Sequence, residues 1–179
     1  MRRVLFEVEL FATPETRAAS ERILRSWIDS LIRSNLVYLA AHPRTPTLYR
    51  AGVRYIRERG LEIFAGVPGI LRRGGGDCED LVCWRVADLR LGRDGRAEAA
   101  RARLTWRREG NRYRYHVTVR RASGAIEDPS LALGMGGPSD VGGVRRELRD
   151  RARYRNGGRR LEIDLDGLPD GPMPIVITE

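Results

Sequence analysis

The chain has no lysine and no glutamine, so all 33 basic residues are arginine. Without lysine, the glycine run "GGGD" at 74–77 cannot serve as a phosphate loop, which needs a following Gly-Lys-Ser/Thr. Cysteine and histidine are almost as scarce, with two of each. Cys78 and Cys83 lie five apart, and His42 and His116 are far from both, so no zinc-ligand spacing exists. Two cysteines are too few for a disulfide framework. On a helix, side chains five apart diverge by about 140°, which also argues against a bridge between them. Long apolar runs are missing too. No window approaches the roughly 18 consecutive apolar residues of a membrane span, and charges interrupt the apolar start "MRRVLFEVELF" where a secretory signal would be unbroken. The expectation is a reduced, cytoplasmic protein with no membrane partner and no cofactor.

What is present fits one globular domain over 1–179. Hydrophobic residues make up 41% of the 179 positions, enough for a real core. The net charge is +9. A GC-rich genome biases basic positions toward arginine without any functional pressure, and residues 145–160 mix both signs densely, as a solvated face does. Nucleic acid is therefore not the expected partner, although the charge balance leaves it open.

Residues 3–10 alternate as a strand. "TPETRAASERILRSWIDSLIRSNLVYLAAH" reads as a long helix with Thr13 as N-cap, Pro14 in the first turn and Glu15 near the positive end. Its apolar positions Ile23, Leu24, Trp27, Leu31 and Tyr38 recur at helical spacing. "LYRAGVRYIRERG" reads as a second helix, "IFAGVPGILRRGGG" as a loop, and Asp77 to about Leu91 as a third helix, apolar nearly all round and so central to the core. A meander follows: "ARARLTWRRE", "NRYRYHVTVRRA" and "AIEDPS", joined by the turn signals "GN" and "SG". Tyr113, Tyr115, Val117 and Val119 share one face of the middle strand; Arg112, Arg114, His116, Thr118 and Arg120 share the other. Beyond a glycine-rich stretch, "RRELRDRARYR" reads as a short helix, with further strands in "RRLEIDLDG" and "PIVITE". Helices first and antiparallel strands after make an α+β chain, helices packed on an antiparallel sheet.

The stretch "GGGDCEDLVCW" carries the chemistry. Asp77 is placed to N-cap the third helix, which puts Cys78 in its first turn, where unpaired N–H groups and the helix dipole favour a thiolate. Those N–H groups can also hold an oxyanion, with Asp77 and Glu79 supporting the turn. The glycines carry no side chain to screen the sulfur and let the backbone approach a substrate. Glu79 and Asp80 complement the dipole but oppose a thiolate beside them. A cysteine nucleophile needs a base and the base an orienting group. His42 ends a helix before proline, where capping is its ordinary role. His116 lies off the Tyr/Val face, and the tight "ASG" turn lets Asp128 fold back as its cross-strand neighbour. Cys83 is a core residue of the helix.

"GGDCEDL", "YHVTVR" and "EDPS", in that order, resemble the transglutaminase-like cysteine protease superfamily over about residues 45–135. "VRRASGAIEDPSLALGM" is similar to small transglutaminase-like proteins of phage and prophage gene sets. The resemblance implies a papain-like core with residues 1–42 before it and a glycine-rich, charged extension over 136–179. It implies Cys78 as nucleophile, His116 as general base and acid, and Asp128 as orienter, acting on a peptide or isopeptide amide as protease, amidase or acyltransferase. The expected partners are a protein or peptide substrate and phage virion or assembly proteins. Where the family often has "HAW", this chain has "HVT". With no glutamine, the second oxyanion donor must be a backbone N–H or a side chain such as Trp27, Asn35, Tyr38 or Tyr49. Nor can the protein cross-link to itself by lysine–glutamine isopeptides. Each residue also has a plain reading: Cys78 as a small buried side chain, His116 as a hydrogen-bonded strand histidine, Asp128 as a turn residue. Taken together they also allow a lapsed module on the same fold, serving as a structural or assembly protein.

Overall fold

The computed structural model describes residues 4–7, 16–58, 62–109, 112–136 and 160–164. The long helix is α1 (Arg17–Ala41), with Leu24, Ile28, Leu31, Ile32 and Leu39 buried along one stripe. Thr16 takes the N-cap position without a side-chain cap bond; the expected start at Thr13–Glu15 lies outside the described residues. His42 ends α1 as a cap: its backbone N–H and its Nδ1 both reach the Tyr38 carbonyl, at 2.9 and 2.8 Å, and its ring stacks on Tyr38.

The next two segments depart from the sequence reading. "LYRAGVRYIRERG" is not a helix. Leu48–Arg50 makes one 3-10 turn, Gly52 takes φ +69°, and Arg54–Tyr55 forms strand β2. Val53 and Tyr55 turn inward and Arg54 outward, a period of two that overrides helix propensity. Nor is "IFAGVPGILRRGGG" a loop. It holds β3 (Glu62–Ala65) and α2 (Val67–Arg73). The glycines and proline that suggested a loop are the punctuation of α2: Gly66 at the N-cap, Pro68 in the first turn, and Gly74 closing it at φ +72°.

Strand β4 (Gly75–Gly76) pairs parallel with β2 and leads directly into α3 (Cys78–Arg90). As expected, α3 is central, and every residue from Cys78 to Leu89 is buried. Its charged residues are buried as well, and each anchors a neighbour. Asp88 accepts from Leu48 N–H at 2.9 Å and Arg93 at 2.8 Å; Asp80 accepts from Ala65 N–H at 2.7 Å and Arg73 at 2.6 Å. Buried charges are retained where such hydrogen bonds offset their desolvation.

One core lies between α1, α3 and a three-stranded antiparallel sheet of β5 (Arg101–Glu109), β6 (Arg112–Arg120) and β7 (Ile126–Glu127). Ala102, Leu104 and Trp106 pair with Val119, Val117 and Tyr115 on the inner face. A second core packs α2, β2 and Trp84 of α3 against the end of α1. A short helix, α4 (Pro129–Ala132), follows β7. The third small sheet joins β1 (Val4–Glu7), β8 (Arg160–Asp164) and β3, with β8 parallel to β3. The architecture is mixed helix and strand with small sheets, compatible with α+β: helices pack on the antiparallel β5–β6–β7 sheet, and two further small sheets add the parallel pairs β2–β4 and β3–β8. The expected helix at "RRELRDRARYR", the strand at "PIVITE" and most of the 136–179 extension lie outside the described residues. No helix among the described residues is long and apolar enough to cross a membrane.

Candidate active site

Cys78 is the first residue of α3, and 9% of it is exposed. Asp77 holds the N-cap position in an extended conformation, yet its side chain makes no cap bond, so the expected capping role is not realised. Each of the three glycines has a role within the fold. Gly74 needs its positive φ, a Cβ on Gly75 would lie 2.1 Å from the Arg54 carbonyl oxygen, and one on Gly76 would lie 2.7 Å from Asp80 Cβ. What they allow is a tight approach of β4 to β2 and of the turn to Asp80, which holds Cys78 at a defined place.

The thiol donates to Glu79 Oε2 at 3.2 Å, and Tyr115 Oη donates to Oε1 of the same carboxylate at 3.3 Å. Glu79 is completely buried. Tyr115 immediately precedes His116, so this carboxylate ties the first turn of α3 to the middle of β6. Val117, on the other side of His116, shares a buried cluster with Cys78. The sequence placed Glu79 in support of the first turn and opposed to a thiolate beside it, and the structure adds Tyr115 as the second donor to its carboxylate, which sequence reasoning missed.

The hairpin after β6 pairs Val119 with Glu127 and Arg120 with Ile126. Continuing that register sets Asp128 opposite Thr118, two residues along the same face from His116. The expected contact forms: His116 Nε2 and Asp128 Oδ2 are 2.8 Å apart, with 31% and 18% of the side chains exposed. The other oxygen, Oδ1, accepts from Ser130 and Leu131 N–H at 3.0 and 3.2 Å, capping α4. Asp128 is thus fixed from two sides. With Nε2 engaged, Nδ1 is the remaining nitrogen of the imidazole; among the described residues His116 makes no hydrogen bond to Cys78, because Tyr115 and Val117 face the Cys78 side of β6 and His116 the other side.

Behind Asp128, Glu127 gathers a second network. It accepts from Tyr49 Oη at 2.7 Å, Arg85 Nε at 2.5 Å and Arg121 Nη1 at 2.8 Å, while Arg85 also pairs with Asp94 and Arg121 with Glu98. Burial pushes the Glu127 carboxyl up, but the bonds from Arg85, Tyr49 and Arg121 outweigh it and the net shift is downward. Burial, with Glu127 adding, pushes the Tyr49 phenol well up. Tyr55 is pushed up to about 12, by burial first, with Arg57 opposing and the charges of Cys78 and Asp77 adding.

The four side chains considered as second oxyanion donors separate clearly. Trp27 packs edge-on against Phe64 and Tyr38 stacks on His42, whereas Asn35 accepts from Val67 N–H through Oδ1 at 3.0 Å and leaves its donor Nδ2 buried without a partner among the described residues. Tyr49 reaches the Glu127–Asp128 corner, but its hydroxyl is donated to Glu127. Cys83 is fully buried with its thiol on the Ile28 carbonyl, and burial pushes its pKa well up, as a core residue requires. No group of three His, Cys, Asp or Glu residues among those described converges as a metal set. The clefts beside Arg90–Arg101 and Arg85–Arg121 are lined by residues other than Cys78, His116 and Asp128. Compared with family models, curated proteins and solved structures, the chain matches none.

Proposed function

We propose that this protein is a thiol-dependent enzyme that opens a peptide or isopeptide amide through Cys78, His116 and Asp128, on a papain-like core of the transglutaminase-like kind. The observation that carries the reading is the 2.8 Å His116 Nε2–Asp128 Oδ2 pair, on the strand bonded through Tyr115 to the turn that begins with Cys78. In this mechanism Nδ1 of His116 takes the thiol proton and the thiolate attacks the amide carbonyl. The imidazolium, stabilised by Asp128, returns the proton to the leaving amine, and a thioester remains. Water then hydrolyses the thioester in the reading we favour; an amine would give acyl transfer. The substrate is a protein or peptide, and phage virion or assembly proteins fit as partners.

One observation favours a second reading. The thiol is nearly buried and donates to the Glu79 carboxylate, an arrangement that suits a lapsed site retained in a structural or assembly module. Iodoacetamide alkylation of Cys78 against pH, followed by peptide mass spectrometry with Cys83 as internal control, separates the two. The enzyme reading expects Cys78 to react below the free-thiol range, near 8.5, and to lose that advantage in His116→Ala. A Cys78 that is inert, or indifferent to His116, overturns it.

A further inference from the structure

On the face of the sheet that carries His116, the neighbours are arginines. The register places Arg101 directly opposite Arg120 and Arg107 directly opposite Arg114, with Arg103 opposite Thr118 and Thr105 opposite His116. All five arginines are exposed. Like charges directly across a strand pair destabilise it, and proteins usually relieve them with an intervening carboxylate. Here, among the described residues, the guanidinium groups of Arg101, Arg103, Arg107 and Arg120 have no ion-pair or hydrogen-bond partner. Other arginines are treated differently: buried Arg85, half-buried Arg93 and even the exposed Arg73 each reach at least one carboxylate. Arg101, Arg103, Arg107 and Arg120 therefore make a strip of unneutralised, bidentate anion donors about 20 Å long on the outer face, with the His116–Asp128 pair set into it.

We infer that this strip binds an acidic peptide segment in extended conformation and delivers it to His116, which makes an acidic protein chain the substrate class; the inference rests on the amide-directed reading above. An extended peptide repeats its side chains every two residues, about 6.8 Å, the same repeat as the arginines at alternate positions of β5 and β6. A single-stranded nucleic acid would also find cations here, but such sites add aromatic rings on which bases stack. Trp106 and Tyr115 both face inward, stacked edge-to-face at 5.8 Å within the core. The outer residues at these paired positions offer no ring but the imidazole of His116.

The test uses the full chain carrying Cys78→Ser, so that nothing is turned over. Fluorescence anisotropy compares a labelled peptide of about twelve residues with glutamate at alternate positions, its glutamine counterpart, and a single-stranded DNA of similar length. The glutamate peptide should bind more tightly than the glutamine peptide and weaken as salt rises. The double variant Arg103→Gln/Arg107→Gln should weaken binding about three- to tenfold. Arg22→Gln/Arg33→Gln, an equal charge change on the exposed side of α1, should leave it within twofold, or about 0.4 kcal/mol. Equal binding of the two peptides, equal effects of the two double variants, or tighter binding of the DNA would each overturn the inference. Binding is read without thiol chemistry and alkylation without a peptide. The failure of one is therefore told apart from the failure of the other.

Discussion

Glu79→Gln should make Cys78 more reactive. The wild-type thiol lies 3.2 Å from a fully buried carboxylate, so ionising it places two negative charges side by side. At an effective dielectric of about 20, that repulsion is on the order of 5 kcal/mol. The helix terminus at which Cys78 sits returns at most about 2 kcal/mol to the thiolate. The carboxylate and the helix terminus thus act in opposite directions on the sulfur, and removing the Glu79 charge leaves the terminus unopposed. Glutamine keeps the size of the side chain, and its carbonyl can still accept from Tyr115, so the change removes charge without opening a cavity. Iodoacetamide alkylation of Cys78 at pH 7 should rise by at least about tenfold, with the rate profile moved to lower pH, while Cys83 stays unreactive in both proteins. An unchanged or slower rate would refute the reasoning, because it would mean that Glu79 is not a charged neighbour of the sulfur in solution.

Three further outcomes are expected. Glu127→Ala should cost about 2–3 kcal/mol in urea unfolding, since Arg85, 7% exposed, would keep only Asp94. The Glu127 pKa is lowered by folding, so its contribution exists above the ordinary carboxylate range near 4.5 and fades as pH falls through the lower folded value; the difference between wild type and Glu127→Gln should shrink as pH falls below that range, and a constant difference would contradict the assignment. Among the glycines, Gly75→Ala should be the most destabilising, by about 3 kcal/mol or more because its Cβ meets a backbone oxygen, then Gly76→Ala, then Gly74→Ala at about 1 kcal/mol; a stable Gly75→Ala would rule out the β2–β4 pairing. Asp128→Asn should keep the α4 cap and most of the stability while abolishing the His116 dependence of Cys78 alkylation, whereas Asp128→Ala should lose about 1 kcal/mol more in denaturant.

The parts legible in the sequence are those specified by neighbours along the chain. The core helix shows itself in the apolar run around Trp84, and the β5–β6 pair in alternating residues. The His116–Asp128 contact follows from a short turn whose register leaves little choice. The parts that were not legible depend on residues far apart. Helix α2 spans only seven residues, too few for a period to declare itself, and its Gly and Pro read as a break until Val67 and Ile70 are seen buried. Strand β2 has two residues and exists because the Arg54 carbonyl faces a glycine 21 positions later. The glycines before Cys78 suggested an open approach to the sulfur for the same reason: what they accommodate is backbone from another part of the chain.

The arginine content and the arginine placement are separate facts with separate causes. A genome-wide bias turns lysines into arginines wherever a cation already stands, and it does so on every surface alike. It does not select two cross-strand arginine pairs, nor leave Arg101, Arg103, Arg107 and Arg120 without a carboxylate among the described residues while supplying carboxylates to Arg85, Arg73 and Arg93. Acidic residues are present in this chain, 24 of them, and several near the site are turned inward: Glu79, Asp80 and Asp88 are fully buried. Glu79 is spent beside Cys78 and Tyr115, and Asp80 and Asp88 on backbone N–H groups and arginines, so none of the three neutralises Arg101, Arg103, Arg107 or Arg120. A fold indifferent to its ligands gains nothing from that arrangement, since it leaves anions to be desolvated within and cations to repel each other without. A site that must draw in an anionic chain gains from unneutralised cations on the face that chain would meet.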